Sequence, residues 1–81
     1  MMQHPWTVEE WVALFYIRKL FPGAPQRQLA RAIWQWSHAL SRVPRIYRDS
    51  SIFKAYAPKL SERSQFAIAH AIRHNDQEFN C

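Results

Sequence analysis

The sequence predicts an all-α fold: a small single-domain bundle of about four helices, the second of them long. Three observations carry this expectation. Apolar residues recur at helical spacing, and period-two alternation is absent. Pro22, Pro25, Pro44 and Pro58 fall at the boundaries of the periodic segments, and the one glycine, Gly23, lies at the first boundary. The chain also opens its first helix with a strong initiation signal.

That signal is Thr7 as N-cap with Glu10 three residues on, the pattern of a capping box. Trp6 and Trp11 stand where a hydrophobic staple would close over the cap, and Glu9 and Glu10 suit the positive end of the helix dipole. The helix should reach Leu20. Its apolar residues run nearly all the way round, which fits a central helix or one partly covered by a partner. Pro22 and Gly23 then stop the chain, and Pro25 restarts it. The second helix is expected from Pro25 to Arg42. At 100° per residue, Leu29, Ala32, Ile33, Trp36, Leu40 and Val43 share its inner side. Arg27, Arg31, Trp34, His38 and Arg42 share the outer one. Pro44 ends it, and Arg45 to Ser50 reads as a basic loop. Asp49 or Ser50 should cap a short third helix to Tyr56, with Phe53 in the core and Asp49 paired to Arg45 or Arg48. Ser61 should cap a fourth helix to His74, with Ile68, Ala71 and Ile72 inward and Arg63, His70 and His74 outward. Trp11, Leu14, Leu29, Ile33, Trp36, Leu40, Ile68 and Ile72 are the expected core. Residues 1–75 form the expected domain, and 76–81 a loose tail.

Eighty-one residues suffice for one domain with a thin core. An apolar fraction of 48%, with four Trp, three Tyr and five Phe, excludes a disordered chain. The single cysteine, Cys81, rules out an internal disulfide and points to a reducing compartment and a passive thiol. Met1 to Trp6 lacks the charged start and apolar run of a signal peptide. No apolar run approaches the ~20 residues of a membrane span. The expected location is therefore intracellular: nuclear in a eukaryote, cytoplasmic in a prokaryote.

The net charge is +5, and its distribution says more than its size. Between Trp11 and Arg48 there are seven Lys or Arg and no Asp or Glu. A field of one sign attracts polyanions. Arg27, Arg31, His38 and Arg42 are spaced to follow a phosphate backbone, and guanidinium groups bind phosphate bidentately. Arg45, Arg48 and Lys54 extend the stripe. Trp34 or Tyr47 would supply stacking on bases. The leading expectation is a nucleic-acid-binding domain, DNA-binding or regulatory. Trp and Arg also suit protein interfaces, so an adaptor or inhibitor docking an acidic protein is the alternative. The plainest reading is a solvated face with Trp34 resting on arginine stems. A homodimer through the first helix is compatible with each of these.

Other chemistries find little in the chain. His70 and His74, at i and i+4, present two imidazoles to one side, but a metal site needs a third ligand. The expected reading is two exposed histidines and no metal or cofactor. Ser37 and His38 are adjacent and so diverge on a helix. The acids read as caps, and no Gly-rich phosphate loop exists, so no enzyme is expected. The apolar face of the second helix is needed for the core, which argues against membrane-surface binding.

The segment Trp6-Thr7-Val8-Glu9-Glu10, followed by Ala13-Leu14 and Gln28-Leu29-Ala30, resembles the start of Myb/SANT-like helix-turn-helix domains. The likeness covers about the first thirty residues, and the later tryptophans of that family have no counterpart here. It implies a small DNA- or chromatin-binding module whose third helix, near Ser51 to Tyr56, reads DNA.

Overall fold

The computed structural model describes residues 4–79, with side chains through Gln77. The expected thiol, Cys81, and the end of the expected tail lie outside the described residues. The fold is all-helical: α1 (Val8–Leu20), α2 (Gln26–His38), α3 (Arg45–Arg48), α4 (Ser51–Tyr56) and α5 (Gln65–Phe79). Short 3₁₀ turns at Leu40–Arg42 and Ala57–Leu60 join them. None of the helices described is long and apolar enough to cross a membrane.

The initiation signal of α1 is built as its residues imply. Thr7 Oγ1 accepts from the Glu10 amide (3.1 Å), and the Glu10 carboxylate accepts from the Thr7 amide (2.9 Å). Trp6 and Trp11 meet at 4.9 Å between ring centroids. At the other end, the Phe21 amide donates to the Ile17 carbonyl and closes the last turn.

α2 lies most extensively against α5, and the 57–60 turn packs against both α1 and α2. One core fills the space between them. Leu14 and Ile17 enter from α1, Leu29 and Ile33 from α2, Phe53 from α4, Leu60 from the turn, and Ile68 and Ile72 from α5. Trp11 and Trp36, expected inside, are half-buried at its margin, with Trp36 edge-on to Phe53 at 5.8 Å. Indole rings are too large for the centre of so thin a core, so they close its edges instead.

Several further expectations are corrected. The second helix stops at His38, not Arg42, because Ala39 leaves helical geometry (φ −156°, ψ 61°). Pro44 keeps Val43 extended, so the chain must leave the α-helix before Val43, and it does so through the 3₁₀ turn. That change of winding turns Leu40 outward, leaving it 48% exposed, and puts Val43 and Tyr47 inside. Arg45–Arg48 is one helical turn instead of a loop. The last helix is capped by Ser64, not Ser61: Ser64 Oγ accepts from the Ala67 amide at 3.1 Å. It also runs past His74 to Phe79, so the expected loose tail begins as helix. The short helix before it is capped as expected by Ser50, whose hydroxyl accepts from the Phe53 amide. Asp49 makes no ion pair with Arg45 or Arg48 among the described residues.

Candidate nucleic-acid interface

The site begins with the partition of charge. Three acids are taken up by three cations in contacts between distant parts of the chain. Arg63 forks onto both oxygens of Glu10 (2.6 and 2.7 Å) and donates to the carbonyls of His4 and Pro5. Its guanidinium also lies 5.0 Å from the Trp6 ring centroid. The Arg63 hydrogen bonds hold the Glu10 carboxyl down from 4.5 to about 2, against the opposing effect of burial. Arg18 forks onto Asp76 (2.9 and 3.0 Å) and donates to the carbonyls of Phe21 and Ala24. Gln26 donates to the same carboxylate, and Arg18 and Gln26 together lower the Asp76 pKa despite its partial burial. Lys59 pairs with Glu9 at 2.8 Å on the surface, and that hydrogen bond raises the lysine pKa.

Arg18 and Arg63 are therefore structural. The sequence placed Arg18 in the basic stretch and Arg63 on the outer side of the last helix. Both side chains are instead nearly buried, at 11% and 10% exposure. A wheel of α1 gives the available hint, since Glu10 and Arg18 fall on the same side as Leu14 and Ile17.

Eight Lys or Arg remain outside these pairs: Lys19 on α1, Arg73 on α5, and the six expected at the site. Arg27 and Arg31 lie exposed on the outer face of α2, one turn apart. Arg42 is exposed on the 3₁₀ turn, Arg45 exposed and Arg48 half-buried on α3, and Lys54 exposed on α4, which packs against α3. None of these six forms an ion pair among the described residues. Arg45 and Arg48, three apart, project to one side of their single turn while Tyr47 turns inward. They form two groups, a pair on α2 and a cluster over residues 42–54.

The aromatic part of the expected site is corrected. Tyr47 is 2% exposed, packed on Phe21 (4.9 Å) and Phe53 (5.4 Å), with burial raising its phenol pKa. It has no free face on which a base could stack. Trp34, expected exposed, is half-buried against the core and stacked on His38 at 4.6 Å. His38 Nε2 in turn donates to the Ser61 carbonyl (3.2 Å), so this corner is largely satisfied from within. The sequence did not single out Ile46, which is 65% exposed between Arg45 and Tyr47. Its one signal is the burial of Tyr47 on a single turn, which forces its neighbour outward.

His70 and His74 line a shallow pocket with Trp6, Trp11, Ala67 and Ala71, and the His74 ring lies 5.7 Å from Trp11. No group of three or more metal-ligating side chains occurs among the described residues. The chain matches no family model, no curated protein and no solved structure. Its chemistry must therefore be read from its own residues.

Proposed function

We propose that this is a small nucleic-acid-binding domain that grips a phosphate backbone through Arg27, Arg31, Arg42, Arg45, Arg48 and Lys54, with His38 beside them. One observation carries the reading: the acids that do pair take Arg18, Lys59 and Arg63, and of the eight Lys or Arg left without an ion pair among the described residues, these six fall between α2 and α4. Guanidinium groups held on helices and turns and, apart from the half-buried Arg48, open to solvent suit phosphate oxygens. With Tyr47 buried and Trp34 half-covered, the contacts are to backbone, so affinity should outweigh sequence preference. The likeness of the opening to Myb/SANT-like domains points the same way.

Titrating labelled DNA and RNA oligonucleotides at two salt concentrations tests this. Six phosphate contacts on duplex DNA predict a loss of about 1,800-fold in affinity between 50 and 200 mM salt. Arg31→Glu should weaken binding to every sequence alike. Absence of binding at the lower salt would remove the proposal. Ile46, exposed within the basic cluster, favours a second reading, an acidic protein partner with an apolar contact. A partner that survives nuclease treatment and is lost with Ile46→Asp would select that reading.

A further inference from the structure

α1 carries a second face that the fold covers only in part. Ala13, Leu14 and Ile17 are buried, while Val8 is 79% exposed and Val12, Phe15, Tyr16 and Leu20 keep between 36% and 44%. On the helical wheel these five outward residues share an arc of about 140° with two charged positions, Glu9 and Lys19. The arc is not disordered surface. Tyr16 is stacked on Tyr56 at 5.3 Å, and Lys19 Nζ lies 5.8 Å from the Phe15 ring centroid. Apolar groups gathered on one helix face and held in place mark an interaction surface.

The order of residues along the arc identifies what fits it. Read against its own reverse, the face is complementary to itself about the level of Leu14: Val8 falls opposite Leu20, Val12 opposite Tyr16, and Glu9 opposite Lys19. We propose that this face is an isologous interface with a second copy of the chain, the two α1 helices packing antiparallel about a two-fold axis. The seam from Val8 to Leu20 is about 18 Å long. Phe15 meets the partner's Phe15 near the axis. Glu9 faces the partner's Lys19 at both ends. The Glu9 carboxylate is free to do so, because it is 71% exposed and only Oε1 is engaged with Lys59. A parallel pair would instead set Glu9 beside the partner's Glu9 and align the helix dipoles unfavourably.

Sedimentation equilibrium of nuclease-treated protein over a concentration series tests the pairing, independently of any nucleic-acid binding. The wild type should dimerise. Lys19→Glu puts like charges together at both ends and should raise the dimer dissociation constant about tenfold. The double variant Glu9→Lys/Lys19→Glu restores the opposite charges in the same register and should recover most of that loss. Far-UV circular dichroism checks that each variant is folded. A wild type monomeric at about 0.5 mM overturns the proposal and leaves the face to a different occupant. A folded double variant as weak as Lys19→Glu alone overturns the register.

Discussion

Arg63 shows how much one side chain does in a chain of this size. It joins Glu10, the carbonyls before α1 and the Trp6 ring at a single point. Replacing it with alanine leaves a nearly buried carboxylate without its partner, and should cost about 3 kcal/mol in urea unfolding at neutral pH. The pH dependence follows from the sign of the shift. The Glu10 pKa is lower in the folded state, so the unfolded chain binds more protons between 4.5 and about 2. The stabilisation is complete above that window and fades as pH falls through it. The gap in stability between pH 6 and pH 3 should therefore be smaller in Arg63→Ala than in the wild type. The sequence showed the capping role of Glu10 but not this one. Helix caps are local, and although the wheel turns Glu10 inward, nothing in the spacing names a partner 53 positions away.

At the scale of elements, the apolar period located α1, α2 and α5 because each buries one side against a common core. Their ends were less legible. Ser61 and Ser64 are equally good caps on paper, and the choice between them is made by the 57–60 turn. Its 3₁₀ winding continues into the hydrogen bonds from Ser61 to Pro58 and from Arg63 to Leu60, which delays the start of α5. Ser64→Ala should cost about 1 kcal/mol, and Ser61→Ala less than about 0.5 kcal/mol, by chemical denaturation. The reverse ranking would place the cap at Ser61. The end of α2 has a similar cause. Leu40 belonged to the inner stripe only if the helix stayed α-helical beyond His38, and the need to reach Pro44 prevents that.

For the whole molecule, Phe53 is the point where the helices meet. It is fully buried and touches the rings of Phe21, Trp36 and Tyr47. Phe53→Ala should cost about 3–5 kcal/mol. Against a total of roughly 4–12 kcal/mol for a chain of this length, thermal melting should shift by tens of degrees or be lost. The basic character of the surface was legible from composition and order alone, as were Arg27, Arg31, Arg42 and Arg45 as its exposed members. The aromatic members were not. For Tyr47, on a one-turn helix, tertiary packing decides whether the ring turns in or out, and the period is too short to report it.

The two arginine clasps also govern when the chain can become a protein. Arg18 waits for Asp76 and Arg63 reaches back to Glu10, spans of 58 and 53 residues. During synthesis the first helix therefore emerges long before its counter-ions' partners exist, and Arg18 has no carboxylate until α5 is almost complete. Contacts this distant form late, after local helices and turns. A nascent chain stalled before Asp76 should stay sensitive to proteases along its whole length, and release of the last helix should protect both ends at once.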